Sequence, residues 1–365
     1  MPLTPTTVFN DRYELVSLIA EGGMGEVWKA TDRRLNRTVA IKTVRARFLK
    51  EEPKAISIFR DEAKAGARLM GHPNVIGILD TIELSGDSET SCLIVMEFVD
   101  GITLSQWISA VAPRLDPQIA HFINLHLAWQ FCRAIHAAHK NRILHRDIKP
   151  HNAIISRRGH LKVADFGLAR FIDALTRTHT VAGANTPAYA APEQWSDEKQ
   201  TENTDLYQLG CTVYQLFSGA LPFEKQGLPA LMTAHLNARP AAPSSRNALI
   251  TPELDVVVLK LLSKQPSDRG AIWELNDIIC EQMCGSYELG IDFSDMSAEN
   301  AEFVSELTDI ARPGEGKDPV ATITFPDGHE VLEEAAVLAF MEIPFTLTKK
   351  TGPASSFLGV KTAGG

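Results

Sequence analysis

Between Ile143 and Asn152 the chain reads Ile-Leu-His-Arg-Asp-Ile-Lys-Pro-His-Asn, and Ala164-Asp165-Phe166-Gly167 follows closely. Asp147, Lys149 and Asn152 on one short stretch, with Asp165 just beyond, offer a base, a cation and two oxygen ligands for a metal. Those are the parts needed for phosphoryl transfer from a nucleotide to a hydroxyl, because that reaction depends on positioning and on stabilising negative charge.

The elements that must position these groups begin upstream. Residues 12–46 read as strands joined by tight turns, with β-like alternation over Tyr13–Ile19 and then Ala20-Glu21-Gly22-Gly23-Met24-Gly25-Glu26-Val27-Trp28. Glycines there let backbone N–H groups approach a phosphate tail, although an ordinary hairpin turn contains such a cluster too. The next strand, Thr38 to Val44, places Lys42 among apolar residues. An unpaired ammonium is costly there, so Lys42 calls for a carboxylate and a phosphate. The run Ser57 to Met70 is helical in composition, with Phe59, Ala63, Ala67 and Met70 near one face, and it supplies Glu62 as the expected partner, with Asp61 as fallback. Val75–Leu84 and Ser91–Phe98 read as two more strands around a polar hairpin loop.

Met96 to Gly101 marks a change of style, with strands before it and helices after. Such a boundary between two lobes suits a nucleotide cleft. Ile119 to His139 is a long amphipathic run in which Ile119, Phe122, Ile123, Leu127, Phe131 and Ile135 recur every three to four residues. After the polar stretch, Ile154-Ile155 and Leu161-Lys162-Val163 predict a hairpin around Arg157-Arg158-Gly159 that keeps the two carboxylate regions close.

Taken together, the ordered motifs over residues 12–285 resemble eukaryotic-type (Hanks-type) serine/threonine protein kinases, and most of all the bacterial members. Thr186-Pro187-Ala188-Tyr189-Ala190-Ala191-Pro192-Glu193-Gln194 is similar to the end of an activation segment, and Asp205 to Gly210 to the helix that anchors the catalytic loop. The resemblance implies an α+β bilobal fold: a small antiparallel β lobe with one helix (12–97) and a larger mainly α-helical lobe (98–285); a small C-terminal appendage follows, beyond the resemblance. It implies ATP with Mg²⁺ or Mn²⁺ as cofactors, Asp147 as base and Lys149 beside it as catalytic residues, and Asn152 and Asp165 as metal ligands. ATP would be met by Ala20, Gly22, Gly25, Val27, Ala40, Lys42 (positioned by Glu62), Met96, and backbone groups of Glu97 and Val99. Arg146 would read phosphate on Thr176, Thr178 or Thr180, while Glu193, Asp205 and Arg269 would hold the lobe together. Two departures stand out: Ala20 occupies the first glycine position, and Ala184-Asn185 looks like an insertion.

Lys149 two residues after Asp147, with Thr186 before Pro187, is similar to Ser/Thr rather than Tyr kinases, so the expected partners are proteins with Ser or Thr acceptors. A nucleotide-binding pseudokinase scaffold and a kinase-fold enzyme acting on a small molecule remain the alternatives. Against the first stand Lys42, Asp147, Asn152 and Asp165, all present; against the second, Ala191-Pro192-Glu193.

With 365 residues, 44% of them hydrophobic, the chain can bury a sizeable core. A net charge of −9 speaks against nucleic acid as a partner. Five scattered cysteines fit a reducing compartment, and Cys280 and Cys284, at helical spacing without a second Cys/His pair, read as structural. No signal-like segment and no membrane-span-length apolar run is seen, so the location expected is cytoplasmic. The remainder divides into an acidic segment and linker (286–319), a small hairpin–helix element (320–347) and a disordered tail (348–365). The 320–347 element is too small for a core of its own and is expected to dock on the kinase or on a partner, as a regulatory or recruiting device. Phosphopeptide mapping of the active protein should find phosphate on Thr178 first and Thr176 next, and an unmodified segment in fully active protein contradicts the switch role of Arg146.

Overall fold

A two-residue period organises the N-terminal part of the computed structural model, which describes residues 3–22, 25–44, 60, 63–64, 66–85, 90–166, 187–196, 198–308, 310, 313 and 319–350. Strands β1 (Val8–Phe9), β2 (Tyr13–Gly22), β3 (Gly25–Asp32), β4 (Arg37–Val44), β5 (Ile78–Ser85) and β6 (Thr90–Glu97) form one antiparallel sheet in the order β1-β2-β3-β4-β6-β5. Opposed residues share a face of a sheet. The register sets Trp28 against Ile41, Ala30 against Val39 and Ile41 against Val95, and these residues form the lobe's buried core with Tyr13, Leu15 and Leu93. One residue out of phase, the opposite face carries Lys42 against Val27 and Ala40 against Met96. Pleating alone therefore delivers the ammonium to the side away from the core.

The helix expected over 57–70 is described only at Arg60, Ala63, Lys64, Gly66 and Ala67, all helical, and then in turns from Arg68 to Met70. Met70, expected to share a face with Ala63, is 55% exposed where Ala63 is buried, because the helix has ended before it.

The larger lobe packs around α1 (Pro117–Lys140). Asp116 starts this helix by accepting the Gln118 N–H at 2.8 Å, and Pro117 occupies the first helical position, where no N–H is needed. Ile119, Ile123, Leu127, Phe131 and Ile135 are buried, as their period predicts. Against α1 lie α2 (Pro192–Trp195), α3 (Glu202–Ser218), α4 (Leu228–Asn237), α5 (Pro252–Leu261) and α6 (Ile272–Met283), directly or through one another. Helix α3 is capped by Thr201 and stops at Gly219, whose φ of 73° a side chain would resist. The predicted hairpin is present as β8 (Ala153–Ser156) and β9 (Leu161–Val163), joined on its far side by β7 (Gly101–Thr103).

The C-terminal region departs in part from its sequence reading. Residues 286–319, read as acidic segment and linker with a short helix over Ala298 to Ile310, contain that helix as α7 (Ala298–Thr308) and also a strand that was not expected, β10 (Ser286–Asp292). Residues 320–347, read as hairpin and helix, instead run strand, helix, strand: β11 (Val320–Phe325), α8 (Gly328–Phe340) and β12 (Phe345–Lys350). Pro326-Asp327-Gly328-His329 is a helix start rather than a hairpin turn, because the Asp327 carboxylate accepts the His329 N–H at 2.9 Å. Glu330, Val331 and Leu332 thereby become the first turn of α8, and β11 pairs with β10, which is the central strand of a β11-β10-β12 sheet. Thr348 to Lys350, read as the start of a disordered tail, complete β12, while residues 351–365 lie outside the described residues. The alternation Tyr287, Leu289, Ile291 that makes β10 amphipathic was present in the sequence. All three side chains are buried in the same apolar cluster as α1, and Tyr287 meets Phe122 edge-on at 5.8 Å. Helix α8 packs on α1 as well.

No helix among the described residues is long and apolar enough to cross a membrane. Because the C-terminal sheet shares one core with the helical lobe, Leu289→Ala should lower the unfolding free energy by about 2–5 kcal/mol. Urea melts followed by tryptophan fluorescence should show the whole lobe shifting in a single transition, and a shift confined to a separate minor phase contradicts the shared core.

Candidate active site

A buried carboxylate fixes the loop that carries the chemistry. Asp205, in the first turn of α3 and 0% exposed, accepts the His145 N–H at 2.9 Å and the Arg146 N–H at 2.7 Å. His139 Nε2 lies 2.8 Å from the same carboxylate. Holding two consecutive N–H groups turns the chain sharply, and Arg146 takes a φ of 65°, in the left-handed region that L-residues avoid. Its carbonyl, thrown inward, accepts Gln208 Nε2 at 2.8 Å and Gln194 Nε2 at 3.1 Å, and Gln208 Oε1 accepts the Ile148 N–H at 2.9 Å. Neither Gln194 nor Gln208 was singled out from the sequence. The signal for Gln208 was its i+3 spacing from Asp205, which puts both on one face of α3.

On the exposed side of this loop, Asp147 Oδ2 receives Lys149 Nζ at 2.7 Å and Asn152 Nδ2 at 3.1 Å, and Asn152 Nδ2 also donates to the Asp147 carbonyl at 2.8 Å. Turning its amide nitrogen to Asp147 leaves the Asn152 oxygen as the atom for a cation. Asp165, with a φ of 64°, follows β9. The hairpin closes the gap between the two candidate metal ligands: Ala153 pairs with Val163, and the Ala164 N–H donates to the Asn152 carbonyl at 2.7 Å. His145 Nε2 sits 2.9 Å from the Ala164 carbonyl, tying the loop to the Asp165 strand.

Lys42 Nζ lies 2.7 Å from Asp165 Oδ2 across the two lobes. Burial would raise the Asp165 carboxyl; the Lys42 ammonium outweighs it and holds it below the usual carboxylate range. The sequence reading gave Lys42 the partner Glu62, which, with Asp61, lies outside the described residues. Asp165, 123 residues away, is the partner observed, and no local spacing pointed to it.

The cleft face of the sheet brings together Ala20, Val27, Ala40, Lys42 and Met96, linked in pairs by register. Ala20 sits in extended β2 opposite Val27, with no positive φ, so its methyl is accommodated where a glycine was expected. Gly22 pairs with Gly25 at the end of the β2–β3 ladder, and a Cβ on Gly25 would overlap the Thr43 carbonyl, so that glycine is demanded by close approach. The Glu97 N–H already donates to the Gly77 carbonyl at 2.9 Å, which removes it from the groups offered to a base, and the Glu97 carboxylate holds Lys162 at 3.0 Å. Val99 follows in the connecting stretch.

Glu193 and Arg269 meet in a two-pronged pair at 2.7 and 2.8 Å, almost wholly buried, with Thr204 Oγ1 donating to the same carboxylate at 2.7 Å. Residues Thr176, Thr178, Thr180, Ala184 and Asn185 lie outside the described residues. The buried Arg146 Nε has no hydrogen-bond partner among the described residues. Likewise, no group of three or more His, Cys, Asp or Glu among them is arranged to hold a metal by itself, and all five cysteines are free.

Known proteins share this fold. Residues 13–279 match the protein kinase domain. Over 271 residues the chain is 38% identical to the serine/threonine-protein kinase PknB of Mycolicibacterium smegmatis, covering 73% of this chain and 42% of that one. It is 36% identical over 258 residues to the serine/threonine-protein kinase PrkC of Bacillus subtilis, covering 71% of this chain and 38% of the relative. The chain thus spans about two fifths of the length of these curated relatives. Among solved structures, the PknI kinase domain of Mycobacterium tuberculosis superposes with a TM-score of 0.58 at 26% identity, covering 77% of this chain and 100% of that one.

Burial would raise the Glu193 carboxyl, but the Arg269 guanidinium outweighs it and holds it below the usual range. The pair's contribution is therefore full above the carboxylate's unfolded pKa and fades as pH falls through the lowered folded value. Arg269→Met, which strands the carboxylate, should cost about 3–5 kcal/mol at neutral pH. Denaturant melts at two pH values should find the deficit smaller near pH 4, where the stranded carboxyl protonates; a pH-independent deficit contradicts the assignment.

Proposed function

The chain belongs to the protein kinase family, and we propose that it transfers the γ-phosphoryl group of ATP to Ser or Thr hydroxyls of protein substrates. The observation that carries this reading is the cluster in which Lys149 and Asn152 meet Asp147 while Lys42 reaches Asp165 from the other lobe. In the reaction, the acceptor oxygen bonds to the γ-phosphorus as the bond to the β–γ bridging oxygen breaks. ADP leaves, and the hydroxyl proton passes to Asp147. Lys149, 2.7 Å from that carboxylate, fixes its direction and sits where charge builds on the transferring group. Lys42, placed on the cleft face by the pleat of β4, is available to the nucleotide phosphates.

The donor set fits Mg²⁺, or Mn²⁺ in its place, since Asn152 and Asp165 supply hard oxygen ligands and the phosphates supply the rest. The ion would neutralise phosphate charge and align the nucleotide. Ala20, Val27, Ala40 and Met96 form the apolar side of the cleft, and Val99 the backbone edge for adenine. Activation-segment phosphorylation at Thr178, Thr176 or Thr180 would give an anion to Arg146 Nε, which has no hydrogen-bond partner among the described residues. The cytoplasmic reading rests on five scattered cysteines, all free, as suits a reducing compartment.

A radiolabelled-ATP assay on protein and small-molecule acceptors, comparing wild type with Asp147→Asn, tests the proposal. Transfer to protein Ser/Thr should fall by about 10²–10⁴ in the variant, as expected for loss of a general base, with ATP still bound. Equal inactivity of both proteins with ATP bound would favour a scaffold, and transfer to small molecules alone a different kinase-fold enzyme.

A further inference from the structure

The closed end of the β8–β9 hairpin does not end in solvent. Helix α8, beyond the region matched by the kinase family, lies directly on it: a Cβ on Gly159 would overlap the backbone carbonyl of Glu333. The Glu333 carboxylate sits between two imidazoles, 3.2 Å from His160 Nε2 on the hairpin and 3.4 Å from His126 Nε2 on α1. His329, one turn earlier on α8, stacks on Trp129 of α1 at 4.1 Å between ring centres, and its Nδ1 is 3.5 Å from His126 Nδ1.

Gln130, the next residue on α1, fastens the same hairpin from below. Its Nε2 donates to the Gly159 carbonyl at 3.1 Å, and its Oε1 accepts the Leu161 N–H at 2.8 Å and Asn74 Nδ2 at 2.7 Å. Three elements thus meet at one turn, with the Glu333 carboxylate between their two imidazoles. Burial pushes its carboxyl up, but hydrogen bonds from His126 and His160 outweigh this and hold it at about 2, so it carries its charge at any working pH.

The open end of that hairpin presents the two residues read as metal ligands. Asn152 immediately precedes β8, and Asp165 follows β9 after Ala164. Three cross-strand pairs, Ile155 with Leu161, Ile154 with Lys162 and Ala153 with Val163, connect the two ends. A rotation or slip at Gly159 and His160 therefore has a short, rigid path to the separation of Asn152 and Asp165.

We infer that Glu333 is a positioning residue: acting through His160 and the Gly159 backbone, it sets the hairpin that presents Asn152 and Asp165 to the metal–nucleotide complex. The inference rests on the reading of those two residues as metal ligands. It assigns the C-terminal unit a part in the active site without contact to substrate.

The test uses the full chain and four variants: Glu333→Ala, Glu333→Gln, His160→Ala and, as control, Arg114→Ala, which removes an exposed ion pair between Arg114 and Glu342 elsewhere on the same interface. Two readouts are independent of turnover: amide hydrogen exchange, and equilibrium binding of a fluorescent ATP analogue as Mg²⁺ is titrated. Glu333→Ala should speed exchange over residues 153–163 while leaving α3 at its wild-type rate, and should weaken Mg²⁺-dependent analogue binding by about two- to thirtyfold, the scale of coupling carried through packed elements. His160→Ala should reproduce both effects, Glu333→Gln should show a smaller version, and the double variant Glu333→Gln/His160→Ala should add little to His160→Ala alone. Arg114→Ala should change neither readout. Wild-type values in Glu333→Ala and His160→Ala overturn the inference, and so does exchange rising equally over the hairpin and α3, which would mark a purely structural role. A wild-type protein that binds no analogue at any Mg²⁺ concentration would instead overturn the kinase reading, while the exchange arm still decides whether Glu333 holds the hairpin.

Discussion

The buried carboxylate of Asp205, accepting the consecutive N–H groups of His145 and Arg146, is the constraint on which the site depends. Without it two inward N–H groups lose their partner, each at a cost of about 1–3 kcal/mol, and nothing compensates the left-handed backbone at Arg146. With it, the Arg146 carbonyl faces Gln194 and Gln208, and the chain beyond emerges so that Asp147, Lys149 and Asn152 point into the cleft rather than into the core. Helix α3 is able to play this part because it is itself deeply set, with Tyr207, Leu209, Val213 and Tyr214 packed in the lobe's core. The strain at one functional residue is thus carried by a rigid helix that takes no part in the chemistry.

The second half of the site is supplied by strand pleating. Ile41 and Lys42 are neighbours in sequence with opposite fates, one buried in the N-lobe core and the other turned to Asp165. The period of two explains how an ammonium can be carried on an apolar strand without being buried in it. The pair it forms across the lobes joins the N-terminal sheet to the residue that follows β9, so relative lobe position and the electrostatics of the candidate site are linked through one contact.

Much of this was legible in the sequence because the relevant residues are close together in the chain or obey a local period. The hairpin around Gly159, the buried face of α1, the grouping of Asp147, Lys149 and Asn152 on one loop and the anchoring of that loop by Asp205 all fall in that class. What was not legible depends on distant packing. Asp165 as the observed partner of Lys42, and Gln194 and Gln208 as props of the Arg146 carbonyl, arise only once separate elements meet. The C-terminal region failed for a different reason. Pro326-Asp327-Gly328 suits a tight turn as well as a helix cap, and the choice is made by α8 finding an apolar surface on α1, which no local pattern reports. Strand β10 was readable from Tyr287, Leu289 and Ile291 but was obscured by the acidic composition around it.

Joined to the helical lobe by a common core, the C-terminal sheet and α8 extend the rigid support of the site from α3 below to the hairpin's closed end. The central claim remains that the geometry imposed by Asp205 carries the phosphoryl-transfer chemistry. Its most direct test is single-turnover transfer from ATP by Asp205→Asn, in which an amide must face two backbone donors with only one acceptor atom. The account predicts transfer slowed by at least about 100-fold, the scale of losing preorganised positioning, with ATP affinity held within a few-fold because Lys42 and the cleft face are untouched. Transfer at the wild-type rate in a folded Asp205→Asn protein would contradict it.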